Sequence, residues 1–204
     1  MIVIGFDPGV ANFGYAVADF KPHSFKVFES GRLEPTVKDP NGNIHRELKR
    51  FGRRLEQLCK TYPKAELFIA ERFMTRGLKG TLIECVAMMI AKAIETMPEN
   101  THIRVTNIKL VTAAVWKNEV NRIIDNLKLL YKITAVTPHQ LDALLMSAYM
   151  YYMWHLKRKD LFAKFILNYN RYLDQLELTS QIPLGRIRGS VPSNRNRNRK
   201  RKVS

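Results

Sequence analysis

The sequence predicts an α/β domain whose mixed sheet opens as an antiparallel meander, continues with parallel strands and is flanked by helices. Three observations predict it. Two β-rich runs lie on either side of a Pro/Gly turn within the first nineteen residues, the signature of a hairpin. From residue 44 onward helical and strand patterns alternate, and strands joined through helices pair in parallel with right-handed crossovers. At 204 residues and 46% apolar content the chain can fill one core, within the roughly 100–200 residues usual for a domain.

The first run is Ile2, Val3, Ile4 and Phe6 around Gly5, broken at Asp7-Pro8-Gly9, and the second is Gly14-Tyr15-Ala16-Val17-Ala18. Residues 24–33 read as a third strand through Phe25, Val27 and Phe28, and residues 34–43, with two prolines and a glycine, read as a loop. Over 44–62, Leu48, Phe51, Leu55, Leu58 and Tyr62 recur at three- and four-residue steps, which predicts an amphipathic helix with a basic outer face. Residues 66–71 form a buried strand that ends on Glu71, and a second helix is predicted over 78–97. A short strand is expected at 102–105 and two short helices over 107–131. Thr137-Pro138 starts the next helix, since threonine caps free amides and proline suits the first helical position; it runs to about residue 156. A last helix is predicted over 160–176, inside a domain spanning 1–180, with 181–204 a basic, disordered tail.

The formal charge is +16, with 34 Lys and Arg against 18 Asp and Glu. Eight of those cations lie between Arg186 and Lys202, so the body alone carries +8. Such an excess favours a polyanion, because each phosphate neutralised releases a counterion. No apolar run approaches the roughly 20 residues of a membrane span, and the N-terminal run is no signal peptide because Asp7 interrupts it. Cys59 and Cys85 are isolated, which suits reduced thiols in a cytoplasm and excludes a zinc finger.

Three acids stand apart from the rest. Asp7, Glu71 and Asp142 each end or interrupt an apolar run, where a carboxylate needs a metal, a cation or a hydrogen-bond donor. A cluster of oxygen ligands suits Mg²⁺ or Mn²⁺ better than zinc. His139 lies three residues before Asp142 and shares its helix face. Each has a plain alternative: Asp7 can shape the turn, Glu71 can pair with Arg72 or Arg104, Asp142 can favour a helix N-terminus, and His139 can be a polar first-turn residue.

Four stretches in this order carry a resemblance: Gly5-Phe6-Asp7-Pro8-Gly9 with Gly14-Tyr15; Glu71-Arg72-Phe73-Met74; Lys109 with Lys117; and His139-Gln140-Leu141-Asp142-Ala143-Leu144. Together they make residues 1–156 resemble the RuvC-type Holliday-junction resolvases of the RNase H-like superfamily. The resemblance implies a homodimeric endonuclease that cuts symmetric strands of branched DNA with two Mg²⁺ ions per site, Mn²⁺ substituting. It implies Asp7, Glu71 and Asp142 as metal ligands and His139 as a fourth catalytic group. Phe73 would stack near the junction centre, and Arg76, Lys79, Lys109 and Lys117 would contact DNA. It also implies a cytoplasmic protein of a bacterium or phage-infected host, without a nucleotide cofactor. The tail and the stretch after Leu156 fall outside the match and suggest a phage or otherwise divergent member. Three rivals differ in class: an RNase H-like nuclease acting on RNA, an ATP-binding actin or sugar-kinase fold, for whose two lobes the chain is short, and a non-catalytic architectural DNA-binding dimer, which has no need of three acids in apolar settings.

Overall fold

A computed structural model describes residues 1–9, 12–34, 44–72, 88–89, 92, 108–124 and 127–180. A five-stranded sheet carries β1 (Ile2–Asp7), β2 (Phe13–Lys21), β3 (Ser24–Leu33), β4 (Ala65–Arg72) and β5 (Ile108–Thr112). Its order is β3-β2-β1-β4-β5. The β3-β2-β1 side is antiparallel and β1-β4-β5 is parallel, as the sequence predicts. Helix α1 (Ile44–Thr61) makes the first crossover. After β5 come α2 (Ala113–Ile124), α3 (Leu127–Ile133) and α4 (Pro138–Tyr149), a π-helical turn (Met150–His155), α5 (Lys159–Leu167) and α6 (Tyr169–Ser180).

Strand alternation divides the core into two layers. Ile4, Phe6, Phe13, Tyr15, Val17 and Phe68 meet Phe51, Leu55 and Leu58 of α1 on one face. Val3, Ala16, Ala18, Ile69 and Val111 meet α2, α4, α5 and α6 on the other. Gly5 is the point of closest approach, because a Cβ there would stand 2.1 Å from the Ser147 hydroxyl and 2.3 Å from the Ala143 carbonyl oxygen of α4. The missing side chain lets α4 lie directly on β1. Every residue of α4 from Gln140 to Tyr149 is buried as a result.

Two expectations need correction. Residues 108–112 form β5 where a helix is expected, because Ile108–Thr112 pairs in parallel with Phe68–Arg72 and completes the sheet. The helix expected over 160–176 is two helices, α5 and α6, parted at Asn168, whose ψ of 39° leaves the helical range. The helix expected over 78–97 and the strand at 102–105 lie outside the described residues, as do Phe73, Arg76, Lys79 and the tail 181–204.

Candidate active site

The acids converge through strand register. Phe6 pairs with Ala70 on two parallel strands, so the next residues, Asp7 and Glu71, end neighbouring strands on the face that receives α4. Helix α4 brings the third acid. Its start is fixed by Pro138 and by a reciprocal cap, in which the Thr137 hydroxyl accepts from the Gln140 amide while the Gln140 side chain accepts from the Thr137 amide. Gly14, which pairs with Asp7, lies so close to α4 that a Cβ would stand 2.3 Å from the His139 carbonyl oxygen. His139 and Asp142, one turn into α4, therefore face the strand ends.

Asp7 is 6% exposed, Glu71 3% and Asp142 6%, too little for water to solvate three carboxylates. Each has protein partners. His139 Nδ1 stands 2.5 Å from Asp7 Oδ2. Lys117 of α2 places its ammonium 2.8 Å from Asp142 Oδ2 and 3.8 Å from Glu71 Oε2. Trp116 donates its indole N–H to Glu71 over 3.3 Å, and the Tyr131 hydroxyl donates to Asp142 over 2.5 Å. The Lys117 ammonium also lies 4.9 Å from the Trp116 ring centre.

Protonation follows from this packing. Burial, reinforced by the charges of Asp7 and Asp142 and opposed by Lys117, pushes the Glu71 carboxyl up to about 7. Burial also raises Asp142, against the pull of Lys117. The hydrogen bond to Asp7 raises His139. Burial works to lower Lys117, but Asp142 and Glu71 outweigh it and hold the ammonium charged.

Among the described residues no three His, Cys, Asp or Glu side chains stand as a ready-made metal cage. The donor set still fits a hard divalent ion. Three buried carboxylates repel one another, and a side-chain cation is already drawn between two of them. Lys117 is in effect the resident positive charge of the cluster.

Sequence similarity points the same way. No family model matches the chain. Over 82 residues it is 28% identical to the crossover junction endodeoxyribonuclease RuvC of Clostridioides difficile, covering 40% of this chain and 47% of that protein. Over 115 residues it is 25% identical to the RuvC of Alkaliphilus metalliredigens, covering 56% and 68%. It is 32% identical over 82 residues to the RuvC of Brachyspira hyodysenteriae, covering 40% and 49%. The matches with the first and third thus span about half the length of those relatives. In three dimensions, Thermus thermophilus RuvC in complex with Holliday junction substrate superposes with a TM-score of 0.52 at 16% identity, covering 76% of this chain and 97% of that one. A second Thermus thermophilus RuvC structure gives 0.52 at 14%, covering 77% and 97%.

The chain is thus similar in sequence to RuvC proteins over part of its length and has an RNase H-like fold. On this RuvC-like frame the structure gathers Asp7, Glu71, His139, Asp142 and Lys117 from β1, β4, α4 and α2. Lys109 is placed elsewhere: exposed on β5, it lines a groove with Met1, Glu66 and Trp154. Sequence reading missed Trp116 and Tyr131. Their rings look like ordinary helix core, and their polar tips matter only where α2 and α3 meet the acids.

The Tyr131 bond predicts a measurable role. Tyr131→Phe removes one donor from Asp142 and leaves the ring, so Mn²⁺ affinity is expected to fall by about 10- to 100-fold, as for other residues that orient a ligand. Calorimetric titration of Mn²⁺ into the variant checks this, and wild-type affinity would rule the role out.

Titration of the cluster predicts a pH dependence for the protein in chelator. Glu71 rises from 4.5 to about 7 on folding, so the folded state holds this proton more tightly than the unfolded chain. The contribution is fully present below pH 4.5 and is lost as pH rises through 7. Asp142 and His139 shift in the same direction. At about 1.4 kcal/mol per unit the Glu71 share is on the order of 3 kcal/mol. Thermal unfolding should therefore shift to lower temperature between pH 5 and 8; an unchanged or rising midpoint would contradict the assignment.

Proposed function

We propose that this chain is a metal-dependent, structure-specific DNA endonuclease that cuts four-way junctions or other branched DNA by paired phosphodiester hydrolysis. The convergence of three buried acids with Lys117, at strand ends of a strongly basic protein, supports the reading most directly. Relatives named crossover junction endodeoxyribonuclease support the substrate class.

Asp7, Glu71 and Asp142 would hold Mg²⁺ or Mn²⁺, with two ions per site. Such ions make a water nucleophilic at neutral pH and stabilise the departing oxygen. The chain's own groups have separable tasks. His139 orients Asp7 through Nδ1, which leaves its other ring nitrogen to take or give a proton at the water or phosphate. Lys117 neutralises the acids before substrate arrives and can pass its charge to a phosphate oxygen when cations take over the carboxylates. Trp116 and Tyr131 keep Glu71 and Asp142 aimed at the site. The pairing of cuts implies a homodimer, because a twofold protein matches the two equivalent scissile strands of a junction.

No helix among the described residues is long and apolar enough to cross a membrane. Incubating the purified protein and Mg²⁺ with labelled four-way junction, linear duplex and RNA–DNA hybrid tests the reading. Paired nicks in the junction are expected. Preferential cutting of the hybrid would favour the RNA-directed rival, and binding without any cleavage would favour the architectural one.

A further inference from the structure

We propose that Arg32 forms a second phosphate-binding subsite beside the acid cluster, and that Glu34 occupies it in the free protein as a carboxylate standing in for the DNA phosphate. The proposal rests on the nuclease reading only for the direction in which the strand runs. Its basis is the sheet. Asp7 pairs with Gly14 and Gly14 with Arg32, so the three lie in one row across β1, β2 and β3. Paired residues share a face, and this face receives α4. Two strand spacings of about 4.8 Å put the Arg32 backbone about 10 Å from that of Asp7. Gly14, between them, contributes no side chain, and His139 of α4 fills the gap. A DNA strand laid over Asp7 along this row therefore reaches Arg32 within about three phosphates, at 3.4 Å of axis per phosphate on one strand.

Arg32 differs from its neighbour Arg54. Arg54 is 7% exposed and committed to Glu29, Tyr15 and Gln57. It braces the edge strand against α1 and is buried there. Arg32 is 31% exposed and bonds Glu34, which is itself 67% exposed. A carboxylate and a phosphate offer a guanidinium the same paired oxygens. An exposed pair of this kind is weak, so a phosphate that releases counterions on binding can displace Glu34. Behind the pair opens a cavity of about 520 Å³ lined by Arg32 and Glu34 together with Thr137, Gln140, Thr179 and Ser180.

The test uses the full chain and a fluorescein-labelled four-way junction in chelator, so that binding is read without cleavage, over a series of salt concentrations. Arg32→Gln is expected to weaken binding about tenfold and to lower the salt slope by about one. Glu34→Gln should tighten binding by roughly 2- to 5-fold. The decisive measurement is the double variant: Glu34→Gln should have no effect once Arg32 is Gln. Equal tightening in both backgrounds would mean that Glu34 acts only through net charge, and unchanged binding by Arg32→Gln would remove the subsite; either result overturns the proposal. Should Arg32→Gln fold poorly by circular dichroism, Arg32→Met, which keeps the side-chain stem, takes its place in both the single and the double variant, with the same outcomes. Cleavage is scored separately with Mg²⁺. Coupled binding effects in a protein that cuts nothing would sink the nuclease reading and keep the subsite, and cleavage with uncoupled variants would do the reverse.

Discussion

Replacing Asp7 by Asn is expected to lower junction cleavage by on the order of 10²–10⁴-fold while leaving junction binding unchanged or slightly tighter. The substitution is nearly isosteric at a position only 6% exposed, and Asn serves the Asp-Pro-Gly turn equally well. Its side-chain oxygen can still accept from His139 Nδ1. What disappears is one negative charge. The loss removes a donor for a hard cation, and it also removes repulsion that helps raise Glu71 and the negative charge that helps raise His139. Both groups should then titrate lower, so the cleavage profile against pH moves along with its height. Binding draws on the basic surface, which the change leaves intact. Cleavage rates and binding isotherms on one labelled junction check the prediction, and equal loss of both would remove Asp7 from the chemistry.

The sequence exposes these acids and conceals two of their partners, for a physical reason. A carboxylate at the end of an apolar strand violates the local pattern, so Asp7 and Glu71 stand out, and Asp142 stands out in an otherwise apolar helix. Trp116 and Tyr131 violate nothing, because an aromatic ring on a helix satisfies the core whether or not its polar tip has a task. Lys117 is singled out only by the resemblance, as a DNA contact; that it also meets Asp142 and Glu71 emerges only when α2 packs beside β4. The meander and the parallel order are legible because turns and hydrophobic periods are local. Strand β5 is not, since its five residues take their conformation from pairing with β4 rather than from their own pattern. Asn168 is a similar case: the apolar spacing runs straight through it from Phe162 to Leu176, and only the backbone turn shows two helices.

Gly5→Ala should destabilise the protein by about 3 kcal/mol, beyond what one methyl usually costs, with a fall in Tm of about 6–12 °C. The added Cβ meets the Ser147 hydroxyl at 2.1 Å and the Ala143 carbonyl oxygen at 2.3 Å. The first obstacle is a side chain and the second is α4 backbone, which can retreat only if the helix moves. Ser147 donates to that same carbonyl over 2.7 Å, so Ser147→Ala clears the hydroxyl without displacing the oxygen beneath it. The double variant Gly5→Ala/Ser147→Ala should therefore recover only a minor part of the lost stability; full recovery in thermal unfolding would show that the backbone is not the constraint. The helix that must lift is the one that carries His139 and Asp142 to Asp7. Any Gly5→Ala protein that stays folded at low temperature should consequently bind junction normally and cleave it poorly, because the acids meet only when β1 and α4 touch without a side chain between them.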